Sequence, residues 1–266
     1  MGAGPADDAG LGRVVVIEGL RVLVGREQPG ELPGLLAAHG AHAVHLPLIT
    51  VVDPEDGGAA LGTALGELPS TDWLVVTSVP GAERVGSAAG EHPDVRLAAV
   101  GSRTAQHLAD LAGRPPDVVP SVQRGAALAT RLMEVMEPAS SVLLAVADRA
   151  DPALGQTLSA AGHRVRSVVA YRTVLTPPDP ATVPPVDALL LTSGSTARSW
   201  VEGMGTDRTP PYVVAMGPAT AEAAREVGLR VDAVATEQSL PGLVSTLDDL
   251  VARARLSGRR DPKGVK

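Results

Sequence analysis

The sequence contains an internal repeat, and this repeat limits the possible folds more than any other feature. Residues 72–78 (DWLVVTS) return as residues 187–193 (DALLLTS). Further along, residues 100–105 (VGSRTA) return as residues 216–221 (MGPATA), and an alanine-rich stretch follows each copy. An ordered internal repeat of this kind predicts two domains of similar architecture.

The repeat extends upstream of these segments. Residues 21–24 (RVLV) precede a helical stretch that ends at Gly40, and residues 141–144 (SVLL) precede one that ends at Gly162. Another short apolar segment follows each of these glycines. Alternating strands and helices are typical of parallel sheets covered by helices on both faces. We therefore predict the α/β class, with two similar domains.

The last part of the chain is too short to form a domain alone. Residues 186–253 supply three strands, and the strand-helix-strand at 20–46 would complete their sheet. Turn residues at 53–58 and prolines at 177–180 indicate boundaries. The first domain is thus predicted to be discontinuous, with the second inserted into it and two extended linkers side by side. The predicted ranges are 20–46 plus 178–255 for domain 1, 53–168 for domain 2, 47–52 and 169–177 for the linkers, and 1–19 and 256–266 for the tails.

The composition excludes several classes of protein. The net charge of −7 and the 2% aromatic content disfavour nucleic acid as a partner. Cysteine is absent, so disulfides and thiolate metal sites are excluded. The apolar runs are short, which fits buried strands rather than a membrane span, and the opening residues, with Asp7 and Asp8, do not resemble a signal peptide. We expect a monomeric cytoplasmic protein that acts on a small molecule without a metal or other cofactor.

Small and hydroxyl-bearing residues follow the ends of the predicted strands. They are Ser78, Gly101, Thr104, Ser193, Gly217 and Thr220. Glycine permits a tight turn, and a hydroxyl can either cap the following helix or hydrogen-bond a ligand carboxylate. Helix N-termini favour anions, and the carboxyl ends of parallel strands are the usual ligand-binding edge. Both capping and ligand contact remain open at this stage.

The order of these motifs resembles the uroporphyrinogen-III synthase family over roughly residues 20–250. The segments that carry the resemblance are 22–26 (VLVGR), 77–78 (TS), 100–105 (VGSRTA), 171–173 (YRT), 192–193 (TS), 217–221 (GPATA) and 235–243 (ATEQSLPGL). The resemblance implies two α/β domains joined by a two-stranded linker, with substrate bound between them. It also implies a lyase of tetrapyrrole biosynthesis that closes the linear polycarboxylate hydroxymethylbilane to uroporphyrinogen III, losing water and inverting the last pyrrole.

The resemblance further implies roles for particular residues. Tyr171 matches the linker tyrosine, which would give a proton to the leaving hydroxyl as a weak general acid. The implied substrate-binding residues are Arg26, Ser78, Gly101, Thr104, Ser193, Ser195, Gly217 and Thr220. This chain departs from the family at Gly25, where a threonine is usual. It also departs at residues 147–151 (ADRAD), where Asp148 and Arg149 stand in for a Gly-Glu pair and an arginine.

A non-enzymatic binding protein with two α/β lobes is the alternative. It would also bind an anionic small molecule between duplicated domains. Tyr171 and the paired Gly-x-x-Thr-Ala motifs favour the enzyme, because a generic sensor would not need them in this order.

Overall fold

The structure is a computed structural model that describes residues 16–257. Of the predicted tails, residues 1–15 and 258–266 therefore lie outside the described chain. Residues 16–19 pack against the fold: Ile17 has no exposed surface, and the Val16 N–H donates a hydrogen bond to Asp248 Oδ1 at 3.2 Å.

Strands and helices alternate along the described chain. The strands are β1 (Arg21–Val24), β2 (His42–His45), β3 (Ile49–Val52), β4 (Trp73–Val76), β5 (Arg96–Ala99), β6 (Ser141–Ala147), β7 (Arg164–Leu175), β8 (Ala188–Leu191), β9 (Tyr212–Ala215) and β10 (Ala233–Val234). The α-helices are α1 (Leu32–Ala38), α2 (Ala59–Gly66), α3 (Val79–Glu91), α4 (Ser102–Ala112), α5 (Gly125–Val135), α6 (Ala153–Ala160), α7 (Gly194–Met204), α8 (Pro218–Glu226) and α9 (Leu240–Leu256). A short 3-10 helix at Leu68–Ser70 precedes β4. None of the helices within residues 16–257 is both long and apolar enough to cross a membrane.

In the described chain these strands form two five-stranded sheets, with the orders β10-β9-β8-β1-β2 and β3-β7-β6-β4-β5. The pairs β1–β2, β1–β8, β8–β9 and β9–β10 are parallel, as are β4–β5, β4–β6 and β6–β7. The order β9-β8-β1-β2 in one sheet matches β5-β4-β6-β7 in the other, as the sequence repeat requires. The predicted fold class, two similar α/β domains with parallel sheets flanked by helices, is confirmed.

Each sheet with its helices forms a compact unit. Unit 1 contains the chain up to Thr50 and from Leu175 onward, and unit 2 contains Val51–Val174. The segments predicted as linkers are extended, since β3 is the edge strand beside β7, and β7 continues without a break to Leu175.

The central strands explain why these sheets form. All four residues of β4 are buried, and so are all four of β8. A parallel strand covered by helices on both faces reads as a continuous apolar run rather than an alternating one. Apolar clusters accordingly lie on both faces of each sheet.

One close contact in unit 1 gives a test of the packing. A Cβ added at Gly203 in α7 would overlap the carbonyl oxygen and the ring of Pro178. We expect Gly203→Ala to lower the free energy of unfolding by about 1–3 kcal/mol, the usual cost of overpacking. Urea unfolding measures the loss. The control is Gly34→Ala in α1, where an added Cβ meets no heavy atom within 4 Å, and equal stability of the two variants would contradict the packing.

Candidate active site

The turns after β4 and β8 place a serine at the start of a helix. Ser78 is the N-cap residue of α3, and its Oγ accepts a hydrogen bond from the Gly81 N–H at 3.2 Å. Ser193 is the N-cap residue of α7, and its Oγ accepts one from the Thr196 N–H at 3.3 Å, within a capping box. Both serines are therefore helix caps. A hydroxyl that accepts one hydrogen bond can still donate another, so capping does not prevent contact with a ligand carboxylate.

Tyr171 lies where β7 carries an extra residue relative to β6. The two strands pair in register up to Val146 and Val169, but Ala147 then faces Tyr171, so Ala170 is an insertion in the ladder. Val169 is 37% exposed, whereas Ala170 is fully buried and Tyr171 is 8% exposed. This β-bulge breaks the alternation of faces along the strand and turns the tyrosine inward.

The surroundings of Tyr171 keep its phenol uncharged. Burial raises the pKa of the Tyr171 phenol above its usual value of about 10. The hydrogen bond with Ser78 and the positive charge of Arg84 lower this pKa, while the negative charge of Asp148 raises it. Burial is the largest of these effects, so the pKa stays raised and the phenol keeps its proton at neutral pH. The Tyr171 phenol is thus protonated, with the Ser78 side chain beside it.

Arg84 is a member of this group that sequence reasoning missed. Its Cζ lies 5.6 Å from the centre of the Tyr171 ring, within the range of a cation–π contact. An arginine in the second turn of a helix belongs to no motif, so nothing in the sequence singled it out. Only the packing of α3 beside β7 brings it to the tyrosine.

The Gly-x-x-Thr turns place glycine, not threonine, at the N-cap position. Gly101 begins α4 and Gly217 begins α8, and neither helix has a hydrogen bond from a capping side chain. Thr104 lies in the first turn of α4 and is buried, while Thr220 lies in the first turn of α8 and is half-buried. Thr104 and Thr220 therefore do not act as N-caps, which was one of the two roles that the sequence left open for them.

A glutamine covers each of these glycines. A Cβ at Gly101 would overlap Gln123 Oε1, and a Cβ at Gly217 would come within 2.9 Å of Gln238 Cδ. Gln123 and Gln238 occupy equivalent places in the two repeat copies, yet sequence reasoning did not name them. Aligning the repeat beyond its obvious motifs could have found this pair.

The remaining predicted residues have more exposed surroundings. Arg26 follows β1 and is half-buried, and its carbonyl oxygen lies 2.9 Å from His45 Nε2. A Cβ at Gly25 would come within 2.6 Å of Leu48 Cδ1, so a threonine at this position would require the Leu48 side chain to move. Ser195 is half-buried in the first turn of α7.

Asp148 and Arg149 follow β6, beside Tyr171. The Asp148 N–H donates to the Tyr171 carbonyl oxygen at 3.0 Å, and Asp148 Oδ1 accepts from the Thr173 N–H at 3.3 Å. Arg149 pairs with Asp148 at 3.7 Å, and its side chain is 69% exposed. Asp148 therefore fixes the backbone on either side of Arg172, and Arg149 is exposed to solvent.

In each unit, the predicted residues gather at one edge of the sheet. Arg26, Ser193 and Gly217 follow the adjacent strands β1, β8 and β9 of unit 1. Ser78 and Gly101 follow the adjacent strands β4 and β5 of unit 2. These are carboxyl ends of parallel strands, where helix N-termini present N–H groups to anions. Within residues 16–257, no cluster of three or more His, Asp or Glu side chains is arranged to hold a metal ion.

Comparison with known proteins agrees with this architecture. Residues 30–245 match the family model described as "Uroporphyrinogen-III synthase HemD". A mutant uroporphyrinogen III synthase from Thermus thermophilus aligns at 19% identity and a TM-score of 0.57, covering 88% of this chain and 99% of that one. Uroporphyrinogen-III synthetase from Helicobacter pylori aligns at 16% identity and a TM-score of 0.58, covering 91% and 100%. A comparison with curated protein sequences finds no match.

Fold and site together define the class of protein. It is a duplicated parallel α/β protein with helix N-termini of the kind that favour anions at its strand–helix turns. Its unit 2 also holds a buried, protonated tyrosine. Within that class, the chain belongs to the uroporphyrinogen-III synthase family, as the resemblance of its motifs predicted. Membership favours the enzyme over the non-enzymatic binding protein.

The two capping serines offer a matched test of the Tyr171 contact. Because the Ser78 hydrogen bond lowers the pKa of Tyr171, we expect Ser78→Ala to raise that pKa further. The pH titration of tyrosinate absorbance measures it, since the chain has two tyrosines and Tyr171→Phe identifies the relevant step. Ser193→Ala should cost about 1 kcal/mol of stability, as Ser78→Ala should, but leave the titration unchanged. A shift in both variants, or in neither, would contradict the contact.

Proposed function

We propose that this protein is a lyase that closes hydroxymethylbilane to uroporphyrinogen III, with loss of water and inversion of the last pyrrole ring. Family membership over residues 30–245 supports the activity. The observation that carries the mechanism is the buried, protonated Tyr171 in contact with Ser78 and Arg84.

In the proposed reaction, Tyr171 donates its proton to the departing hydroxyl group, which leaves as water. A hydroxide is a poor leaving group, so a proton donor held beside it lowers the barrier. The phenolate formed in this step is stabilised by the hydrogen bond with Ser78 and by the positive charge of Arg84. Asp148 opposes this charge, so the balance between Arg84 and Asp148 limits how strong an acid the tyrosine becomes.

The proposed role of the strand–helix turns is to bind the carboxylates of the substrate. The turns at Gly101 and Gly217 leave the first N–H groups of α4 and α8 without a capping side chain. Such groups are ready hydrogen-bond donors for carboxylates. We propose that Thr104 and Thr220 contribute to binding at these turns, and that Ser195 does so in the first turn of α7. The other proposed binding residues are Ser78, Ser193 and Arg26.

Most of the catalytic effect then comes from orientation. Several fixed carboxylate contacts hold a flexible linear tetrapyrrole in a folded shape, so that the correct carbon of the terminal ring is attacked. This explains why a single weak acid suffices.

We propose that the enzyme works as a cytoplasmic monomer, with the domain ranges 20–46 plus 178–255 and 53–168.

The product isomer tests the proposed reaction. We expect purified protein incubated with freshly prepared hydroxymethylbilane to yield uroporphyrinogen III, measured by separating the ring isomers after oxidation. A sample without protein, which should give the non-inverted isomer I, is the control. Isomer I alone in the presence of folded protein would refute the activity and favour the binding protein.

The two tyrosines of the chain give a matched test of the proton donor. Tyr171→Phe should lower kcat by roughly a hundredfold, the lower end of what general acids contribute, with KM almost unchanged. Its stability should fall by only about 1 kcal/mol, the value of one hydrogen bond. Tyr212 is also buried, but it lies at the amino end of β9, whereas the predicted site residues follow the carboxyl ends of the strands. Tyr212→Phe should therefore keep the wild-type kcat. Wild-type kcat in Tyr171→Phe would reduce Tyr171 to a packing residue.

A further inference from the structure

We infer that Arg84 is a positioning residue for the reaction, which holds the ring of Tyr171 in place and favours departure of its proton. The inference rests on the proposed role of Tyr171 as proton donor. Arg84 does not need to touch the substrate to act in this way, because it works through the tyrosine.

The Arg84 guanidinium is held from two sides. Its Nη1 donates to the Pro80 carbonyl oxygen at 3.2 Å, one helical turn earlier in α3. Its Nη2 donates to Asp53 Oδ1 at 3.4 Å. With these two contacts the guanidinium stays 5.6 Å from the ring centre of Tyr171, and its side chain is only 21% exposed. Limited exposure weakens solvent screening, so the charge acts on the phenol more strongly than a surface charge would.

The position of Arg84 is not explained by ion pairing alone. Its Nε atom is buried and has no hydrogen-bond acceptor within the described chain. Its ion-pair partner Asp53 is 77% exposed, and exposed ion pairs contribute little to stability. Leaving a buried donor unsatisfied is costly. The side-chain position of Arg84 instead keeps its guanidinium next to the Tyr171 ring.

Asp53, which pairs with Arg84, also contacts the strand that carries Tyr171. Arg172, the next residue on β7, donates from its Nε to the Asp53 carbonyl oxygen at 3.1 Å. Its Nη1 also pairs with Glu55 at 3.1 Å. The segment after β3 therefore links the guanidinium and the tyrosine through one chain of contacts, which fixes the distance between them.

The charged groups that face the phenol have opposite effects. Arg84 approaches from α3 and Asp148 from the end of β6, while Ser78 supplies the hydrogen bond. Arg84 is the cation of this group, so it opposes both burial and Asp148. As the phenol gives up its proton, a negative charge develops beside a fixed positive one, and this interaction is stronger in the transition state than before it.

Replacing Arg84 tests the inference. We expect Arg84→Gln to lower kcat roughly tenfold with little change in KM, and to move the tyrosinate titration of Tyr171 to higher pH. Arg84→Lys keeps the charge and should recover part of both effects. The control is Arg131→Gln in α5, an exposed arginine paired with Glu134, and it should change neither quantity.

Two outcomes would overturn the inference. One is wild-type kcat in Arg84→Gln, and the other is a lower kcat with an unchanged titration, since the arginine would then be merely structural. If Arg84→Gln does not fold, Asp53→Asn decides: a lower kcat with a shifted titration supports the role, and an unchanged kcat or an unchanged titration refutes it. Failure of wild-type protein to form uroporphyrinogen III would instead refute the proposed function, and the titration would still report the contact between Arg84 and Tyr171.

Discussion

The parallel pairing of β1 with β8 is the constraint on which the rest of the fold depends. Residues Val22–Val24 pair with Ala188–Leu190, although all of unit 2 lies between them in the sequence. Parallel strands cannot be joined by a tight turn, so some crossover is obligatory, and here the crossover contains a complete second copy of the sheet. The chain must therefore leave unit 1 after β2 and return to it before β8. The sheet of unit 1 is complete only when both of its segments are present.

The same pair of strand–helix turns occurs in both copies. Ser78 and Ser193 satisfy the first N–H groups of α3 and α7, so these helices are stable without a ligand. Gly101 and Gly217 leave the starts of α4 and α8 without such a cap, beneath the side chains of Gln123 and Gln238. Each unit thus combines one turn that is capped by its own serine with one that has no capping side chain.

The sequence predicts much of the fold because its signals are local or repeated. Buried parallel strands such as β4 and β8 appear as apolar runs, and the repeat indicates how many sheets they form. The site is only partly predictable. Tyr171, Ser78 and Ser193 lie in motifs, but Arg84 has no motif and reaches the tyrosine only through the packing of a helix on a strand that follows much later in the chain. The N-cap position of Gly101, rather than Thr104, is set by backbone geometry that the residue types alone do not fix.

The bulge at Ala170 separates the two copies in a way that substitutions do not. In unit 1 the corresponding strand β2 pairs with β1 only from His42 to His45 and ends before the position of the bulge. In unit 2 strand β7 runs further and carries one additional residue, and Tyr171 after it is buried in the core. The facing of Tyr171 therefore depends on the register of β7 as well as on the residue type at this position. Because successive side chains of a strand face opposite sides of the sheet, an unbroken alternation along β7 would instead place Tyr171 on the face on which the exposed Val169 lies.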